Sequence, residues 1–343
     1  MNIQIIDPTT FPHWNRQIAA FQDATAFHTA NWARVLVETY RYNPRYFCTF
    51  NNGQLENVVP VLEIRSSLTG KRGVCLPFSD QVEPLVQDQA AFDILLDYII
   101  GFGKKKGWQA LAFHGCDQLL SHEPAYKSYV TSSLSIEESC KTLFKQLKSN
   151  TRRNIKKAQK ANISTQILQS EKGIKAFYQL NCLTRRDHGL PPQPYLFFKR
   201  LHANFFLKEK GFVCLAFQNN IPIAGVLFLS FNRHAMYKYG ASDKNHLKLR
   251  PNNMSMWEAI KHCNELGLQQ IDLGRTDMEH EGLRRFKKSW NAVEGQLKYY
   301  RYDFQESAFT QKQERLKSSY GFLKKMPLPL LRVFGCIMYR HVG

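Results

Sequence analysis

The sequence lacks most of the short signatures that mark common enzyme chemistries. Its 343 residues contain no G-x-x-x-x-G-K-[ST], no G-x-G-x-x-G after a strand, no H-E-x-x-H and no G-x-S-x-G. Phosphate-loop hydrolysis, dinucleotide redox chemistry, zinc proteolysis and serine hydrolysis therefore lose weight. The eight cysteines form no C-x-x-C pair, and no histidines are grouped at zinc spacing. Most sit in apolar runs, as in Phe47-Cys48 and Val213-Cys214-Leu215, so they read as reduced, buried thiols and no metal centre is expected. No apolar run approaches the ~20 residues of a membrane span. Met1 to Asp7 meets a proline with no charged segment leading into an apolar one. A cytosolic protein is expected, one that at most touches the inner face of a membrane.

Acidic residues are also scarce. Lys and Arg number 47 against 28 Asp and Glu, a formal net charge of +19. Two blocks have no acid at all: Lys141 to Lys160 with eight cations, and Phe322 to Gly343 with four. Such blocks favour a polyanionic partner, whether RNA, phosphorylated metabolites or an anionic membrane surface, over a merely solvated basic surface. With 43% hydrophobic and 13% aromatic residues the chain can fill packed cores, and its length points to two domains.

Along the chain, residues 28–40 place Trp32, Val35, Leu36 and Tyr40 on one helical face. Asn52-Gly53 joins a strand over 45–51 to one over 58–64. A strand over 73–77, a helix over 92–106 and a strand over 108–114 follow. Ser135-Ile-Glu-Glu138 then reads as a capping box opening a basic helix with Leu143, Leu147, Thr151, Ile155 and Ala158 inward, which Ser149-Asn150 interrupts. A strand (163–168), two helices (174–186 and 195–208), a hairpin through Asn219-Asn220, and a strand over 234–241 come next. A helix over 254–266 and a strand over 268–273 precede a closing strand, 296–304. Helices, hairpin, strand, helix and strand recur in both halves, which predicts two related α/β domains around mixed sheets. The expected division is 1–134, with the tail 305–343 packed on it, and 135–304. The tail is alternatively a membrane-interface segment, because Phe322 to Arg340 is apolar with spaced cations.

Three polar clusters sit at expected element ends. In Thr184-Arg-Arg-Asp-His-Gly-Leu-Pro-Pro-Gln-Pro194, His188 is placed to accept a proton and Arg185 or Arg186 to clamp an anion, although cations at a helix end are also simply favourable there. Tyr237-Lys-Tyr-Gly-Ala-Ser-Asp243 runs toward Arg250-Pro-Asn-Asn253 at a helix start, a place for an anion unless Asn253 is only an N-cap. Asp272-Leu-Gly-Arg-Thr-Asp277 leads to a short basic helix with Arg284, Arg285, Phe286, Lys287 and Lys288. Cations at a strand end suit a phosphate or a developing oxyanion, and water suits them too.

These segments resemble the FemAB-type acyltransferases. The resemblance rests on Tyr239-Gly-Ala-Ser-Asp243, Arg250-Pro-Asn-Asn253, Trp257-Glu-Ala-Ile260, Asp272 to Asp277, Glu281-Gly-Leu-Arg-Arg-Phe-Lys287 and Trp290. It extends to Thr151-Arg-Arg-Asn-Ile-Lys-Lys-Ala158, the 184–194 segment, His28-Thr29, Trp32 and Leu76-Pro-Phe-Ser-Asp80. It implies two GNAT-like domains and transfer of an acyl or aminoacyl group to an amine, with the donor an aminoacyl-tRNA or an acyl-CoA and no tightly bound cofactor. The acceptor it implies is a cell-envelope precursor such as a lipid- or nucleotide-linked glycan in peptidoglycan or exopolysaccharide synthesis; the basic charge and the tail add an expected peripheral contact with an anionic membrane. Phe286-Lys287 matches the family's Phe-Lys pair, so Lys287 is expected to steady an oxyanion or phosphate. Asp277, His188 or the substrate itself would take the proton; Arg275, Arg284 and Arg285 would hold donor phosphates; Tyr239, Asp243, Arg250, Asn253 and Thr276 would line the substrate site. The family's long coiled-coil arm is missing, because the segment 183–198 is short and proline-rich. Residues 243–253 contain no glycine, which disfavours a CoA pyrophosphate loop. Acetyl-CoA-dependent N-acetylation of an amino sugar or small amine, and a non-catalytic RNA- or membrane-binding module, remain the alternative readings.

Overall fold

The computed structural model describes residues 2–312 and 321–343. Its first elements are β1 (Gln4–Ile6), α1 (Trp14–Ala19), α2 (Ala30–Tyr40), β2 (Asn43–Asn51), β3 (Gln54–Ser66), β4 (Gly70–Val74), α3 (Gln89–Lys106) and β5 (Ala110–His114). Then come β6 (Lys127–Ser135), α4 (Cys140–Gln146), α5 (Ser149–Lys160), β7 (Ser164–Leu168), α6 (Glu171–Asp187), α7 (Tyr195–Asn204), β8 (Gly211–Gln218), β9 (Ile221–Phe231) and β10 (His234–Ser242). The chain closes with α8 (Pro251–Glu265), β11 (Gln270–Asp272), β12 (Thr276–Asp277), α9 (Glu281–Lys288), β13 (Val293–Asp303), β14 (Ala308–Phe309) and α10 (Leu328–Val342). It divides into two compact units: Met1–Val130 with Gln296–Arg315 and Met338–Gly343, and Thr131–Gly295 with Leu316–Ile337. Residues 313–320 of the tail lie outside the described residues.

In the first unit the strand order is β1-β2-β3-β4-β5 and then β13, antiparallel throughout except for β4 beside β5. A parallel pair needs a crossover, and α3 supplies it. Asn52 and Gly53 both take positive φ (49° and 79°), as a two-residue hairpin turn matched to strand twist requires. His28 is fully buried, its Nδ1 accepting from the Thr25 amide (3.0 Å) and its Nε2 donating to the Glu83 carbonyl oxygen (2.9 Å). Burial lowers its pKa to about 4. Thr29 caps α2 by accepting the Trp32 amide (3.3 Å). The His28-Thr29 pair thus works as a structural cap.

The second unit repeats the wiring. Its order is β6-β11-β10-β9-β8-β7, with β8, β9 and β10 antiparallel, α8 crossing over, and β11 parallel to β10. Asn219-Asn220 forms its hairpin turn, again with positive φ at both residues. On one face α4, α5 and α8 pack Leu143, Ile155, Trp257, Ile260 and Cys263 onto Cys214, Val226 and Phe228. On the other lie α6 and α7; a Cβ on Gly225 would be crowded by Leu215 of β8 first and by Phe177 of α6 as well. No helix among the described residues is long and apolar enough to cross a membrane.

One expected element is corrected. Ser135 does not open a helix; it is the last residue of β6, paired with Gln270. The adjoining Ile136 is buried and its amide donates to Gln269 O (2.8 Å), so the strand ladder and core claim this segment. Ser139 caps α4 instead, accepting from the Thr142 amide (3.3 Å). The basic helix is interrupted, but at Leu147 and Lys148, whose backbones are extended; the expected breakers Ser149 and Asn150 instead form the first residues of α5.

Candidate active site

The site is organised by two parallel strands that part. β10 and β11 pair only over His234–Met236 against Gln270–Asp272. β10 then continues along β9 to Ser242, while the chain leaves β11 through Leu273-Gly274. The parting of the two strands, at their carboxyl ends where open α/β sheets place ligands, defines the opening. A bulge marks the same point, with the β9 register shifting between Tyr237 and Tyr239. Residues two apart on a regular strand share a face. Here Tyr237 packs on Phe228 (5.7 Å between ring centres) in the α8-side core, whereas Tyr239 meets Phe198 (5.7 Å) on α7. The bulge turns them to opposite faces. Burial pushes the Tyr237 phenol up to about 12, and its hydroxyl lies where a Cβ on residue 240 would stand, so glycine is needed there.

The 184–194 segment is tied to the end of β10. Thr184 Oγ1 accepts from the Ser242 amide (2.8 Å) and donates to the Ser242 carbonyl (3.1 Å). The Tyr239 hydroxyl donates to Oε1 of Gln193, which is buried between Pro192 and Pro194. Arg185 Nε donates to Pro191 O (3.2 Å), and Lys244 pairs with Asp187 (2.9 Å). His188 is solvent-exposed beyond the end of α6. Its pKa is lowered, by desolvation first and then by Arg185, His280 and Lys324, with Asp187 opposing. Its imidazole stands near enough to His280 for the two to interact electrostatically. Arg186 is half-buried on the same helix end.

At the start of α8, Asp243 caps the 3-10 turn Lys244–Leu249 by accepting the Asn245 amide (2.9 Å). Arg250, exposed and left-handed (φ 63°), is the N-cap of α8; Asn253 lies in the first turn, buried, with its amide on Arg250 O (3.1 Å). Because Pro251 has no N–H, this helix start offers an anion few amides.

Past β11, the Asp272 carboxylate accepts the Gly274 amide (2.7 Å). Lys287 is only 3% exposed, and its ammonium donates to Gly274 O (2.6 Å) and Arg275 O (3.2 Å). It fastens α9 to the loop that bounds the opening. Thr276, 2% exposed, has a buried hydroxyl with no hydrogen-bond partner, an arrangement that costs about 1–3 kcal/mol. Asp277 is exposed and Arg275 half-buried. Phe286 packs edge-on to Trp290 (6.0 Å). Arg284 makes two parallel bonds to Glu294 (both 3.0 Å) and one to Met278 O (3.2 Å), and Lys288 joins the same carboxylate (2.8 Å). Arg285 is exposed. The structure thus ties Tyr239 through Gln193, and Ser242 through Thr184, to the 184–194 segment, and ties Lys287 to the Gly274–Arg275 loop, while Arg284 is engaged by Glu294 on the outer side of α9.

The Arg284 hydrogen bond, against desolvation and helped by Lys288, holds the Glu294 carboxyl at about 2. A carboxyl lowered from its unfolded value of ~4.3 stabilises the fold above that pH and ceases to do so as pH falls toward 2. Thermal unfolding from pH 6 down to pH 2 is expected to fall more steeply in the wild type than in Glu294→Gln; equal slopes would show that this cluster contributes nothing.

Sequence reasoning passed over Thr184, Gln193 and Ser242 as site residues. A polar residue held between prolines, as Gln193 is, was the available signal. Elsewhere in the unit, Lys145 on α4, Lys148 between the helices, and Arg153, Lys156, Lys157 and Lys160 on α5 are exposed, and none is in an ion pair among the described residues. No cluster of His, Cys, Asp or Glu suited to a metal occurs among the described residues.

Residues 145–288, which hold this opening, match the family described as the acetyltransferase (GNAT) domain. That segment is accordingly of the GNAT acyltransferase type, and the chain folds as two GNAT-like units of mixed sheet flanked by helices. The fold agrees with the resemblance to the FemAB-type acyltransferases: a crystal structure of FemX aligns with a TM-score of 0.69 at 17% identity, covering 87% of this chain and 97% of FemX. The C-terminal domain of a putative lysylphosphatidylglycerol synthetase from Agrobacterium fabrum aligns with a TM-score of 0.58 at 14% identity, over 86% and 92% of the two chains. A tandem GNAT protein from the clavulanic acid biosynthesis pathway aligns at 0.55 and 7% identity, over 88% and 98%. No curated protein sequence matches.

Proposed function

We propose that this protein transfers an acyl or aminoacyl group from an activated donor to the amine of a cell-envelope precursor, with the reaction in the opening between β10 and β11 of residues 135–304. The observation that carries the reading is the parting of two parallel strands inside the matched GNAT segment, with a buried lysine fixing the loop on one side. The acceptor amine attacks the donor carbonyl, and the tetrahedral oxyanion is held by main-chain groups lining the opening. Lys287 serves that geometry by holding the Gly274 and Arg275 carbonyls in place. The amine proton passes to His188, kept neutral by its surroundings, or to Asp277; the carbon–leaving-group bond breaks as the amide forms. Arg275, Arg250 and Arg285 supply positive charge for donor phosphates.

The GNAT match favours an acyl-CoA as donor. The unpaired cationic face of α4 and α5 favours a second reading, an aminoacyl-tRNA. The likeness to a putative lysylphosphatidylglycerol synthetase supports a lipid-linked acceptor at a membrane surface. Purified protein given an envelope-precursor extract with acyl-CoA or charged tRNA separates the donors. Product that needs acyl-CoA and survives ribonuclease establishes the first; product that needs charged tRNA and disappears with ribonuclease establishes the second. No acylated amine with either, alongside RNA or vesicle binding, would leave a binding module in place of an enzyme.

A further inference from the structure

The C-terminal helix has a face that nothing in the described structure covers. Its inner side is fixed: Leu331 and Gly335 are buried, Gly335 lies directly against the Pro192 carbonyl, and the Arg332 guanidinium stands over the Tyr178 ring at 5.4 Å. On its outer side, Leu330, Val333 and Ile337 are 60%, 58% and 54% exposed. Spaced i, i+3 and i+7, they form one aliphatic stripe about 10 Å long. Ahead of them Lys324 and Lys325 are exposed, as is Phe322. From Phe322 to Gly343 the sequence has four cations and no carboxylate.

We infer that α10 docks this protein on an anionic phospholipid bilayer, lying in the interface with Leu330, Val333 and Ile337 among the acyl chains and Lys324 and Lys325 on lipid phosphates. The charge pattern selects this occupant: aliphatic side chains beside cations, with no acid on the segment, match a layer that is apolar inside and negative at its surface. The helix has 15 residues, too few to cross, so it lies flat. Its position also leaves the other basic surface open. α10 sits against α6 and the 190–194 loop, on the opposite side of the second unit's sheet from α5, so one flat bilayer cannot meet both. The docking deepens the lipid-linked acceptor reading and rests on it for its purpose. Binding itself needs no turnover, so the two ideas fail in different assays.

The test is co-sedimentation of the full chain with vesicles of phosphatidylcholine alone, or of equal parts phosphatidylcholine and phosphatidylglycerol. Binding to the mixed vesicles is expected to exceed binding to phosphatidylcholine by roughly tenfold and to weaken with salt. The combined Leu330→Glu, Val333→Glu and Ile337→Glu variant should lose roughly tenfold or more, and Lys324→Ala with Lys325→Ala should lose several-fold together with much of the salt dependence. These side chains are exposed, so an unchanged circular dichroism melt is expected and confirms that the fold is intact. Equal vesicle binding by wild type and the triple variant overturns the inference, as does absence of binding to either vesicle. So does a triple variant that changes only self-association in analytical ultracentrifugation, because the stripe would then be covered by a second copy.

Discussion

Replacing Lys287 with alanine is expected to lower acyl transfer by roughly 100-fold or more and to reduce stability by about 1.5–3 kcal/mol. The ammonium is buried and its two hydrogen bonds end on the Gly274 and Arg275 carbonyls. Without it, two carbonyls of the loop bounding the opening lose a charged donor, and the loop is released from α9. A displacement of about 1 Å at a reacting centre is enough for a loss of that size. Lys287→Met keeps most of the volume and should recover part of the stability but little of the rate. Lys287→Arg should recover little of either, because a planar guanidinium does not fit a pocket shaped to a compact ammonium. If Lys287 acts by positioning, kcat and KM both change; a loss confined to kcat would instead place its ammonium on the transition-state oxyanion.

Gly335→Ala is expected to destabilise the protein by about 1–3 kcal/mol, although it adds a single methyl group. That methyl would collide with the carbonyl oxygen of Pro192, which is backbone and cannot rotate aside. Either α10 lifts or the proline-rich loop shifts. The loop carries Gln193, the acceptor for the Tyr239 hydroxyl, so the disturbance should reach the site. Urea denaturation should show the loss, and hydrogen exchange should quicken at residues 189–195. Gly101→Ala is the matched control, because a Cβ there meets nothing within 4 Å and the residue is within α3. It should leave stability unchanged or raise it by up to about 1 kcal/mol. A Gly335→Ala protein as stable as the wild type would mean that α10 is not seated on the loop.

Much of the fold is legible in the sequence because local chemistry and tertiary structure agree. The Asn52-Gly53 and Asn219-Asn220 turns, the Pro251 start of α8 and the spacing of Trp32, Val35 and Leu36 each have one sensible structural use. Strand β6 is harder to see, because Ser135 and Glu138 satisfy a helix-start pattern and only the pairing with β11 overrules it. The site is legible as a set of segments but not as contacts. Thr184 and Ser242 are 58 positions apart, and nothing local announces their reciprocal hydrogen bonds. The bulge in β10 likewise depends on what packs above and below Tyr237 and Tyr239. Lys287 is a different case. Leu283, Phe286, Lys287 and Trp290 fall at i, i+3, i+4 and i+7, a helical face that is otherwise apolar. That spacing already separates Lys287 from Arg284, Arg285 and Lys288, and the structure buries it while the other three face outward.

Mass spectrometry of envelope-precursor amines from cells making the wild-type protein, the Lys287→Ala variant or neither decides whether this protein acylates such amines. An amine-linked acyl mass increment is expected with the wild type, with its loss in the cells making Lys287→Ala and in those lacking the protein. The same acylated products in all three, or no acylated amine in any, would contradict it.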